Sequence, residues 1–126
     1  MDDGAFLSLV EEVLEEVLQD LAGDLGAKLD NVEISVEDWP SEEVLRELGV
    51  PAGGTLLGLY RGVPQTDRSV FQMSAFPDRI ILYQGPLELE ASDPKKLRKI
   101  VRHTILHEIA HHFGISDERL VELGAY

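Results

Sequence analysis

Between Pro94 and Gly114 the chain contains no glycine or proline. Asp93 before Pro94 is a helix start, because a short acidic side chain accepts from free backbone N–H groups and proline in the first turn loses no bond. Gly114 is a helix stop, since glycine takes the left-handed conformation that ends a helix. One long helix is therefore predicted from Pro94 to about Phe113. Twenty helical residues span about 30 Å, the width of a small domain. Whatever the chain folds into must pack against this rod along its length.

The remaining segments supply that packing. From Phe6 to about Leu29, apolar residues recur at helical spacing (Phe6, Leu9, Val10, Val13, Leu14, Val17, Leu18, Leu21, Leu25), with Glu and Asp between them as a solvated face. Fraying is expected near Gly23 or Gly26. Asn31 to Asp38 alternates Val32, Ile34 and Val36 with Glu33, Ser35 and Glu37, the pattern of a half-buried strand. Ser41 caps a short helix through Leu48, stopped by Gly49 and Pro51. Thr55 to Tyr60 and Arg79 to Gln84 read as two further strands, the latter ended by Gly85-Pro86. Gly62 to Ser69 reads as a loop, and the pattern of Val70 to Phe76 is ambiguous. Ser116 or Asp117 caps a last short helix through Leu123. The class is α+β, with helices packed on one small sheet.

A chain of 126 residues fits one domain, 1–126. Eleven Lys+Arg against 24 Asp+Glu leave a net charge of −13, which argues against nucleic acid and anionic membranes as partners. There is no cysteine, so any metal must be held by imidazole and carboxylate. The acidic N-terminus lacks the pattern of a secretory leader and no run of about 18 apolar residues occurs. The expected location is the cytoplasm.

The long helix carries His107-Glu108-Ile109-Ala110-His111. His107 and His111 are four apart, so they lie one turn above each other on one face and can share a Zn²⁺ at about 2.0–2.1 Å. Glu108 is rotated about 100° from His107. It flanks the metal and can move a proton between an attacking water and a leaving group. A third ligand is needed, with one position left open. Gly114 lets the chain turn back and Asp117 follows three residues later, completing H-E-x-x-H-x-x-G-x-x-D. Given this composition the whole string arises by chance roughly once in 10,000 such chains, so it is treated as a site.

Neighbouring residues have ordinary roles to set beside functional ones. Asp117 can serve as a helix cap as well as a ligand. His103 lies one turn before His107 and fits a polar rim; His112 points away and fits packing or a backbone contact. Thr104 and Ile100 share the metal face and are expected on the cleft floor. Leu106, Ile109, Ala110 and Phe113 read as core. Tyr60 and Tyr83 can polarise a carbonyl or simply pack as sheet aromatics, and Trp39 before Pro40 reads as a packing anchor.

The strings LLGLYRGVP, PDRIILYQGPL and HEIAHHFGISDERL resemble the small bacterial zincin-like metallopeptidases, with Asp117 where the long metzincin-type motif has a third His. The resemblance covers roughly Leu56 to Leu123. It implies a minimal zincin fold with one zinc, His107 and His111 as ligands, Asp117 as third ligand and Glu108 as general base. It also implies peptide-bond hydrolysis by zinc-activated water. The substrate, a peptide or flexible protein segment, would lie extended along an edge strand, for which Arg79 to Gln84 is expected. Two other readings use the same metal chemistry. One is a zinc-binding interaction module without turnover. The other is a zinc-dependent ribonuclease, opposed by the net charge and by Glu108 and Glu118, which stand where that enzyme type has Gly and a third His.

Overall fold

The computed structural model describes residues 1–29, 31–62 and 78–124, with Ala27 and Lys28 in backbone only. The ambiguous Val70 to Phe76, and the expected loop beyond Gly62, lie outside the described residues. Helix α1 runs Asp3–Leu25 and continues as a 3-10 turn, Gly26–Leu29. Its start is set by Asp2, whose carboxylate accepts from Ala5 N at 2.7 Å. Phe6, Val10, Val13, Val17 and Leu21 form one fully buried stripe, as the spacing predicts.

Strand β1 is Val32–Glu37, helix α2 Glu42–Glu47, strand β2 Gly58–Arg61 and strand β3 Asp78–Tyr83. Ser41 caps α2 through its hydroxyl. The sheet order is β1-β3-β2, with β1 parallel and β2 antiparallel to β3. The expectation that Arg79 to Gln84 forms an edge strand is overturned. That segment is the central strand, hydrogen-bonded on both sides, and has no ladder groups left for a substrate. Its apolar run Ile80-Ile81-Leu82-Tyr83, with Ile80, Leu82 and Tyr83 buried, fits a strand covered by neighbours.

The expected strand stops one residue early, at Tyr83. Gln84 already begins helix α3, Gln84–Glu90, an element absent from the sequence reading, with Gly85-Pro86 in its first turn. Proline is tolerated there because first-turn N–H groups have no partner within the helix. Leu87 is buried in the core and anchors the turn.

Helix α4 spans Pro94–Phe113, with Asp93 accepting from Lys96 N at 2.9 Å. Leu97, Val101, Ile105, Leu106, Ile109 and Ala110 bury its inner face against α1 and the sheet. Each fully buried large apolar side chain contributes about 1.5–3 kcal/mol. Arg98 pairs with Glu12 and Glu16, and Arg102 with Asp20 at 2.7 Å. These partly exposed pairs set the registry of α1 on α4 more than they stabilise it. Gly114, at φ 71° and ψ 33°, ends α4, and α5 follows at Asp117–Glu122. No helix among the described residues is long and apolar enough to cross a membrane.

Candidate active site

The last three turns of α4 bring the predicted residues together. Ring centres of His107 and His111 lie 5.7 Å apart, edge to face. Two imidazoles bound tetrahedrally to one zinc at about 2.0–2.1 Å have ring centres about 5 Å apart, so the pair suits that donor geometry. Nε2 of His107 is buried below the surface. The His103 ring lies tilted against His107, centres 4.2 Å apart, and His103 is exposed, as expected of a rim residue.

Glu108 is half-buried between α4 and the sheet. Its Oε2 accepts a hydrogen bond from the backbone N–H of Tyr60, 48 residues away, at 3.2 Å. Burial raises the pKa of Glu108; the Tyr60 N–H and the nearby His111 partly oppose that shift by favouring the anion. Among the described residues β2 pairs with β3 alone. Tyr60 N–H points away from β3, outward from the strand. The carboxylate of the long helix is thus held by a main-chain donor of β2.

Tyr60 is fixed in turn by its side chain. Its phenol donates to Oδ2 of Asp78 at 2.7 Å, and Asp78 is 6% exposed. His112 stacks on the phenol at 3.9 Å, with Nε2 3.7 Å from the same Asp78 oxygen. Phe113 meets both rings edge-on. His112 therefore packs, as expected, and the Tyr60 hydroxyl is committed to Asp78. Tyr83 is buried, which raises the pKa of its phenol, and Trp39 is exposed beside Gly85.

A cleft of about 240 Å³ opens beside the helix, lined by Thr55 to Gly58 on one side and His103, Thr104, His107 and Glu108 on the other. Thr104 is on this floor, its hydroxyl donating to Ile100 O at 2.8 Å. Ile100 lines an adjoining hollow with Leu57 and His103. Gly58 is small for a reason. A Cβ there would lie 2.9 Å from both Thr104 Cγ2 and Leu82 Cδ2. Only glycine lets β2 come this close to α4, which is what brings Tyr60 N–H within reach of Glu108.

Beyond Gly114, Ser116 is the cap of α5, accepting from Arg119 N at 3.2 Å. Asp117 is the first residue of that helix and is exposed. Among the described residues no group of three His, Asp or Glu side chains is close enough to hold a metal ion. The structure thus gathers His107, Glu108 and His111 on one helix, and carries Asp117 on the next.

The sequence reading missed the Tyr60 N–H, the Asp78 carboxylate and the Thr55 to Gly58 lip. The first is a main-chain group with no residue-type signature. Asp78 had a weak signal, as an acid beside an apolar strand. The lip is defined only by the approach of two distant segments.

A family model described as zincin-like metallopeptidase matches residues 29–125. Among solved structures, the chain is similar to a conserved hypothetical protein from Thermo thermophilus. The two are 28% identical, with a TM-score of 0.54, over 90% of this chain and 94% of that one. No curated protein matches significantly.

Proposed function

Because the chain belongs to the zincin-like metallopeptidase family, we propose that it is a peptidase whose general base is Glu108 and whose zinc would be held by His107 and His111, with Asp117, carried apart from them on α5, as the third ligand. Family membership implies zinc binding in general, and the pair of imidazoles suits it. Bound zinc would supply Lewis acidity and lower the pKa of a water toward neutrality.

The observation that carries the reading is the seat of Glu108. It lies on the helical turn between the two imidazoles, half-buried, with Oε2 held by β2. Oε1 then faces the task of receiving a proton from water and returning it to the departing amine. In the metal-free chain burial raises its pKa above that of an ordinary carboxylate, the direction that strengthens a base. Asp78 and His112 keep Tyr60, and so its N–H, in place. An extended peptide would lie along β2, where the outward N–H and C=O of Gly58 border the cleft. β2 takes the part first expected of Arg79 to Gln84. The small, shallow cleft suits peptides and flexible segments.

The test is metal analysis of the purified protein followed by a quenched-fluorescent peptide library. Stoichiometric zinc and cleavage that falls 10²–10⁴-fold in Glu108→Gln are expected. Cleavage unchanged in that variant refutes the base assignment. Zinc without any cleavage would make the chain a metal-binding interaction module.

A further inference from the structure

A larger groove, about 620 Å³, lies at the other edge of the sheet, between β1 and the first three turns of α1. It is remote in topology from β2, since β3 separates the two edge strands. Asp3, Glu11, Glu37 and Asp38 line it, with no Lys or Arg among the described lining residues. Elsewhere on the surface Glu12, Glu16, Asp20, Asp24 and Glu47 are each paired with arginine. The groove carboxylates have no such pair among the described residues.

The floor is apolar, formed by Leu7, Ile34 and Val36. The backbone of β1 forms one wall. In its parallel register with β3, Asp78 N donates to Asn31 O, which turns Glu33, Ser35 and Glu37 toward β3. The N–H and C=O groups of Ile34 and Val36 then face outward. Gln84, 7% exposed, also lines the groove. Its Nε2 donates to Met1 O and Glu88 Oε1, but its buried Oε1 has no hydrogen-bond partner among the described residues. A buried amide oxygen left without a donor costs free energy.

We propose that this groove docks an extended, cationic peptide segment of another protein, which adds to the sheet beside β1. Its main chain pairs with Ile34 and Val36, its alternate apolar side chains rest on Leu7, and its Lys or Arg side chains meet the four carboxylates. A single metal ion does not fit, because no three of these acids come close enough to share one. A second copy does not fit either: a two-fold contact would face four carboxylates with four more, on chains that each carry −13. The site is independent of the peptidase reading, since it shares no residue with the β2 cleft.

The probe is a labelled Lys-Val-Lys-Val-Lys-Val peptide, with a Glu-Val counterpart as control. Both are titrated by anisotropy into the full chain carrying Glu108→Gln, so that cleavage does not interfere. Saturable binding of the Lys peptide alone, weakened by salt, is expected, with slowed amide exchange at Ile34 and Val36. Glu11→Gln with Glu37→Gln should weaken it about tenfold. Val36→Pro removes an outward N–H without breaking the β3 ladder and should weaken it similarly. If Val36→Pro fails to fold, the exchange data carry the same test. The proposal is overturned if the peptide does not bind, if the double Gln variant binds it equally, if protection appears at β2 instead, or if the free chain dimerises through β1.

Discussion

Replacing Gly58 by alanine tests the architecture of the site directly. In general, Gly→Ala at a compatible position stabilises a protein by about 0.4–1 kcal/mol, through the unfolded chain. Here the added methyl would stand 2.9 Å from Thr104 Cγ2, 2.9 Å from Leu82 Cδ2 and 3.2 Å from Ile81 O. Carbon atoms prefer about 3.5–4.0 Å, so the shortfall is about 0.6–1 Å on two sides at once. Overpacking of this kind costs about 1–3 kcal/mol, which outweighs the chain-entropy gain. A net loss of about 1–2 kcal/mol is expected. With an unfolding entropy of about 2.1 cal/mol/K per residue, the Tm falls by roughly 4–8 °C. Relief by separating β2 from α4 also stretches the Tyr60 N–H to Glu108 contact, now 3.2 Å, so peptide cleavage should drop with stability. Thr104→Ser removes the clashing methyl and keeps the hydroxyl that bonds Ile100. In a thermal-unfolding double-mutant cycle the pair should recover at least about 0.5 kcal/mol. A Gly58→Ala protein as stable as the parent, or strict additivity with Thr104→Ser, refutes the close approach.

Glu108→Gln has a pH signature in the metal-free protein. Burial places the folded-state pKa above the ordinary 4.5. The group's contribution to stability is therefore present below that value and lost as pH rises through the folded pKa. The Tm of the variant relative to the parent should increase between pH 4 and 7; an advantage that is flat with pH contradicts the buried carboxylate. Tyr60→Phe deletes the 2.7 Å bond to Asp78 and should cost about 1.5–3 kcal/mol by chemical denaturation. Gly114→Ala forces a side chain into φ 71° and should cost about 1–2 kcal/mol, with Gly114→Asn milder. Zinc at 100 times its Kd should raise stability by about 2.7 kcal/mol, and His107→Ala or His111→Ala should abolish both this gain and zinc uptake by elemental analysis.

Local chemistry alone determined a good deal of this protein. Asp93, Pro94 and Gly114 bounded α4 because capping and left-handed termination act within a few residues. The stripe from Phe6 to Leu21 marked the buried face of α1 for the same reason, and the four-residue spacing of His107 and His111 was enough to bring their rings together, edge to face. Tertiary structure decided what joins distant segments. It made Asp78–Tyr83 the central strand, turned Gln84–Glu90 into a helix against α4, and set Gly58 against Thr104. It also gave Glu108 a main-chain donor from Tyr60 and built the acidic groove beside β1. Short-range rules could not reach these outcomes, because each depends on which surfaces meet once the whole core is buried, and backbone donors look alike at every position in a sequence.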